Sequence, residues 1–184
     1  MNRKLILPIL ILTGCLLSCT EESNPTFDTD NFTSIFDNNK FDASYFPIDM
    51  QETPDGGYLI LGGRKLTDSN FTGIYLLKAD EFGNFVKELE VDESSVHPIG
   101  KLTAIQGRYY FFCMDGLSLQ AQLAQVDPDS ASVTITPLSS GMTYPSAAGQ
   151  DGDNFVLLSY DHENKLTVLS RYNFAGDLQG QTQE

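Results

Sequence analysis

Glycines, carboxylates, two histidines and one mid-chain cysteine are the residues of this 184-residue chain whose types and spacing bear on chemistry. The stretch "PDGGYLILGG", Pro54 to Gly63, first raises a phosphate-binding loop. Such a loop needs G-x-x-x-x-G-K-[ST], and a dinucleotide turn needs G-x-G-x-x-G opening a helix. Strand-like residues fill the interval between Gly57 and Gly62, and no helical pattern follows Gly63-Arg64-Lys65. The spacing fits neither loop and points to a hairpin turn. Carboxylates crowd other turns: Asp80 with Glu81, Asp127 with Asp129, Asp151 with Asp153. None has the twelve-residue ligand rhythm of an EF-hand, and Asp and Asn serve tight turns through their own backbones, so no metal is assigned. Glycosidase carboxylates meet only in the fold, and no pair stands out.

His97 precedes Pro98 at the start of a strand, whereas His162 sits in the turn "YDHENK". Such unequal settings read as surface or turn histidines, not as a paired metal or acid–base site. No Gly-x-Ser-x-Gly elbow occurs. Cys113, in "RYYFFCMD", reads as an inert buried thiol. Tyr109, Tyr110 and Tyr144 are candidate platforms for sugar stacking, with the core as the ordinary place for strand aromatics. These residues yield no catalytic group and no cofactor, so the chain is not read as an enzyme.

The elements that must position these residues begin after a leader. Asn2-Arg3-Lys4 is a short basic start, followed by the apolar run "LILPILILTGCLLSC". This is the pattern of a secretory signal, too short and interrupted for a membrane span. Leu16-Leu17-Ser18 before Cys19, or Leu12-Thr13-Gly14 before Cys15, resembles the processing box of bacterial lipoproteins, in which the cysteine is lipidated. Cys19 is preferred because polar "TEESNPT" follows it, while Cys15 would leave Leu16-Leu17 at the mature start. The acidic Thr20-Glu21-Glu22 segment also resembles the surface-export signals of some Gram-negative lipoproteins. The expected plan is a signal peptide over 1–18, a lipidated cysteine and flexible tether over 19–43, and a folded unit over 44–184. The address is then the bacterial envelope, as an outer-membrane lipoprotein exposed at the cell surface and held by lipid.

Charge supports that address and excludes one class of partner. The chain carries 25 acidic residues against 11 basic ones, a net charge of −14. Losing Arg3 and Lys4 with the signal takes this to about −16, a field that repels nucleic acid phosphates. Of three cysteines only Cys113 lies beyond the leader, so no internal disulfide forms and the core must hold the fold.

Beyond Ser44 no segment has a 3.6-residue apolar stripe. Short apolar runs rich in β-branched and aromatic residues stand between Gly, Asp, Asn and Pro, which predicts an all-β fold. Tyr58, Tyr109 and Phe155 open equivalent strands 51 and 46 residues apart. Asp80, Asp127 and Asn173 mark equivalent hairpins 47 and 46 residues apart. This period, with four strands per unit, is that of propeller blades. Units are expected over 44–93, 94–140 and 141–184, each with an apolar second strand and a polar fourth one. First strands are expected around 46–50, 99–105 and 145–148.

"ETPDGGYLILGG", followed by "YLLKADEFGNFVKE", resembles the repeat of bacterial secreted and lipoprotein β-propellers, T-x-D-G-G-Y and then K-x-D-x-x-G-N. Asp55, Gly56, Gly57, Tyr58, Gly62, Lys78, Asp80, Gly83 and Asn84 carry the match. The later units depart from it, with Arg108 at the second glycine and Asp153-Asn154 lengthening the third turn. Three blades are fewer than the four at which propellers close. The expectation is therefore an incomplete propeller, closure by self-association, or an open stack. The resemblance implies a recognition platform for a protein or glycan, with a glycan-processing or other hydrolytic propeller enzyme as the alternative.

Overall fold

The computed structural model describes residues 43–66, 70–138 and 144–184. It is all-β: twelve strands, every pairing antiparallel. The first four are β1 (Ala43–Glu52), β2 (Tyr58–Leu66), β3 (Gly73–Ala79) and β4 (Phe85–Leu89). The next four are β5 (Ser95–Ile105), β6 (Arg108–Asp115), β7 (Ala121–Asp127) and β8 (Ser132–Pro137). The last four are β9 (Pro145–Asp151), β10 (Asn154–Asp161), β11 (Leu166–Tyr172) and β12 (Leu178–Gln183). Each group of four is a meander of consecutive hairpins. The first two groups join into one eight-stranded sheet through the single pair Gly73↔Val96, and the third is a separate four-stranded sheet. Among the described residues no pairing closes either sheet.

Burial explains why the strands read differently in sequence. In β6, "RYYFFCMD", six consecutive residues are buried, because both faces of the second meander are covered. Period-two alternation sends Tyr109, Phe111 and Cys113 toward the first meander, against Leu59, Leu61 and Leu76. It sends Tyr110 and Phe112 toward the third, against Phe155, Leu157 and Tyr172. A strand covered on both faces loses its polar alternation. In β11 the alternation survives: Val168, Ser170 and Tyr172 are buried, and Thr167, Leu169 and Arg171 are exposed. That outer face also carries Leu158 beside Leu169 in register, 37% and 48% exposed. Of the fourth strands, β12 is exposed throughout, whereas β4 buries Leu89.

The first strands sit closest together. Strand β5 lies against both β1 and β9. The Leu102 amide donates to Asp49 Oδ2 at 2.9 Å, and the Tyr109 hydroxyl donates to the Glu52 carbonyl at 2.7 Å. Strand β5 is irregular, with register shifts between Val96 and Ile99 and between Ile99 and Thr103. Gly100, at φ 77°, lies where a side chain would press on Ala148 of β9 at 3.1 Å. The close approach of these two strands therefore depends on a glycine.

Candidate functional site

The repeat-turn residues form a closed hydrogen-bond network. Asp55 Oδ1 accepts the Thr53 hydroxyl and the Gly57 amide, and Oδ2 accepts the Lys78 ammonium. The Lys78 contact, then the Thr53 hydroxyl, hold the Asp55 carboxyl well below its ordinary range. Lys78 is only 5% exposed, so its charge requires this partner. A side chain at Gly57 would collide with the Ala79 carbonyl oxygen, which is why the second glycine of the motif is needed. Gly56 supplies φ 81° for the turn, and Tyr58 packs with Ile60 against Tyr75, Leu77 and Ala79.

At the next hairpin Asp80 accepts the amides of Phe82 and Asn84 at 2.9 and 2.7 Å and the Asn84 side-chain amide at 2.9 Å. The Asn84 side chain is the main reason its carboxyl is lowered. Gly83, at φ 76°, donates its amide to the Asp80 carbonyl at 3.0 Å. The third unit builds the same turn with the two residues exchanged. Asn173 Oδ1 accepts the amides of Ala175 and Asp177, and its Nδ2 donates to Asp177 Oδ2 at 2.9 Å. The second unit uses Asp127, which takes the amides of Asp129 and Ser130 and an ion pair from Arg108 at 2.8 Å. Arg108 stands where the first unit has Gly57, so the departure from the motif is itself a tie across the turn. A cavity of about 470 Å³ lies beside these turns, lined by Asp55, Lys78, Asp80, Glu81 and Asp129 among others. Its cations are engaged: Lys78 also lies 3.9 Å from Asp129, and Lys87 donates to the Asp129 carbonyl. The motif residues hold one another.

His97 lies in β5 and the exposed His162 in the β10–β11 turn, unequal settings as the sequence has them, yet the two stand near one tyrosine. His97 and Tyr144 have ring centroids 5.3 Å apart, and Tyr144 lies 6.4 Å from His162, which lies 5.1 Å from Tyr160. Both histidines thus gather round one tyrosine. Left-handed backbone at His97, Leu119 and Tyr144 makes this possible, with the Tyr144 amide bonded to the Leu119 carbonyl at 2.7 Å. Burial lowers the His97 imidazole against an opposing hydrogen bond from its ring to the Pro145 carbonyl. Among the described residues no group of three His, Cys, Asp or Glu could hold a metal ion. Cys113 is fully buried, its thiol pushed up to about 12 by that burial.

A second cavity, about 550 Å³, opens between the second and third meanders. The first strand of every meander contributes: Gln51 from β1, Lys101 and Thr103 from β5, Gln150 from β9. Tyr110, Phe112 and Phe155 form its apolar floor, with Tyr110 and Phe155 centroids 5.5 Å apart. Its lining has one charge, Lys101, and no carboxylate or histidine. Of the three tyrosines weighed as sugar platforms in the sequence only Tyr110 reaches this cleft, beside Phe155, which the sequence marked as opening a strand. Tyr109 is core, and Tyr144 belongs to the histidine cluster. Lys101 was missed, and its signal was a lone cation in the otherwise uncharged run "VHPIGKLTAI". Cys19 and Cys15 lie outside the described residues. No protein-family model matches the chain, and no curated protein matches it significantly.

Proposed function

We propose that this is a lipid-anchored protein of the bacterial outer membrane whose propeller-like domain is a binding module, with the cleft between the second and third meanders as its recognition site. The propeller-like reading draws on three meanders that pack in sequence, the second covered by its neighbours on both faces, with β5 between β1 and β9. The binding reading is carried by the cleft itself. Its volume falls within the range of about 300–1,000 Å³ usual for small-molecule sites, and an apolar floor with a few polar groups at the rim suits orientation and selectivity. Without a carboxylate or histidine its lining offers no ordinary acid–base pair. The ligand class that suits amides, a hydroxyl and aromatic rings is an extracellular glycan.

A second reading, a hydrolytic enzyme, draws on the gathering of His97, Tyr144, Tyr160 and His162. One experiment separates the two. The mature protein is screened against neutral, acidic and amino oligosaccharides, for both binding and hydrolysis, alongside a His97→Ala, His162→Ala variant. Binding without turnover, unchanged in the variant, is expected. Turnover lost in the variant would favour the enzyme. The anchor is tested separately by Cys19→Ala, which should move the protein from the membrane to the soluble fraction. Unchanged fractionation would defeat the lipid anchor.

A further inference from the structure

We infer that the cleft takes an acidic sugar, a glycan residue bearing a carboxylate, with the Lys101 ammonium as the carboxylate's partner. This rests on the reading of the cleft as a glycan-recognition site. The first observation is the state of the cations. Arg64, Lys78, Arg108 and Arg171 each pair with a carboxylate. Lys65, Lys87, Lys101 and Lys165 pair with no carboxylate among the described residues, and of these four only Lys101 lines the cavity. It is also the one charged residue in the lining. Asp49, on the neighbouring strand, accepts the Leu102 amide and does not line the cavity.

The second observation is the chemistry around that charge. Gln51, Thr103 and Gln150 offer donors and acceptors suited to ring hydroxyls. Gln150 donates its side-chain amide to the Gly152 carbonyl at 3.0 Å, which leaves its Oε1 to accept from a ring hydroxyl. The Tyr110 hydroxyl bonds Gln125, leaving its ring to the apolar floor. A free carboxylic acid would use only the lysine, and a neutral sugar would leave the lysine without its anion. A uronic acid residue uses both. The surrounding protein carries a net −14, which disfavours anions generally. A carboxylate-free lining with one unpaired ammonium is the local exception.

The test is calorimetric titration of the mature protein with tri-galacturonic acid and with its fully methyl-esterified counterpart, which keeps the rings and removes the charges. Lys101→Gln, Lys101→Arg and Lys65→Gln are compared, Lys65 being an exposed lysine outside the cleft. Thermal melts of the variants serve as the folding check. The acid is expected to bind and the ester to bind at least about tenfold more weakly, the loss of one charge-assisted hydrogen bond. Lys101→Gln should weaken the acid to the level of the ester, Lys101→Arg should retain most of the affinity, and Lys65→Gln should change nothing. Equal binding of acid and ester overturns the acidic-sugar inference while glycan recognition stands. An equal loss in Lys65→Gln also overturns it, as surface attraction. Binding of neither probe overturns it too, and glycan recognition then falls only if the wider oligosaccharide panel is silent.

Discussion

Removing the charge of Asp55 should destabilise the domain in a pH-dependent way. Its carboxylate holds an ammonium that is nearly buried, the Lys78 side chain being 6% exposed, while Asp55 itself is 54% exposed. Breaking a fully buried pair from one side costs about 3–5 kcal/mol, and an exposed pair contributes about 0–1 kcal/mol. Half-exposed Asp55 lies between, so Asp55→Asn should cost about 2 kcal/mol at pH 7. Asp55→Ala should cost about 1 kcal/mol more, because the Thr53 and Gly57 hydrogen bonds go as well. Lys78→Met fills the same space without charge, and combined with Asp55→Asn it should recover much of the loss. The folded-state pKa of Asp55 lies below the unfolded value of 3.8. Its contribution is therefore complete above that value and disappears as pH falls through the folded one. The gap between wild type and Asp55→Asn should be full at pH 7 and shrink below about pH 4. Urea unfolding across that range measures it. A gap under about 0.5 kcal/mol at pH 7, or a double variant no better than Asp55→Asn, would refute the pairing argument.

Three further outcomes are expected. Gly57→Ala should cost about 2–3 kcal/mol in urea unfolding, since its neighbour is the Ala79 backbone, whereas Gly56→Ala should cost about 1 kcal/mol from φ alone. Exchanging the turn partners, Asp80→Asn with Asn84→Asp, should leave the melting temperature near wild type because the third unit already uses that arrangement, and Asp80→Ala should lower it. Cys113 should resist alkylation at pH 8 in the native protein and react on denaturation, with a mass shift as the readout.

The strands were legible because they carry their signal locally. "RYYFFCM" and "LTVLSRY" differ in alternation, and the structure turns that difference into two covered faces against one. The turn motif was legible for the same reason: Asp80 reaches only two and four residues ahead. First strands were the weakest in sequence. Strand β9, "PSAAGQD", holds Pro, Ala and Gly, which have little intrinsic strand preference, and it forms because β10 presents a partner edge. Strand β5 runs four residues further back than its apolar pattern from Ile99, because Ser95 and Val96 pair with Asp115 and Met114. The histidine cluster was not legible at all. His97 and His162 are 65 residues apart in sequence, and left-handed residues in different segments bring them to one tyrosine.

The same contrast bears on where function sits in this fold. The residues that recur with the repeat are consumed by it: Asp55 by Lys78, Asp80 by Asn84, Asn173 by Asp177. A side chain whose hydrogen-bonding capacity is spent on its own turn has little left for a ligand. Lys101, Gln51 and Thr103 are under no such demand: they lie on first strands, and none of the three side chains is tied to a turn. Those strands also converge, so a change at Gln51, Lys101 or Thr103 alters one shared cavity, whereas Gln150 also ties to the Gly152 turn. On the proposed reading of the cleft, recognition can vary on the first strands while the turns hold the meanders constant. The residues that make the repeat visible in sequence are, on this argument, the ones least suited to bind anything.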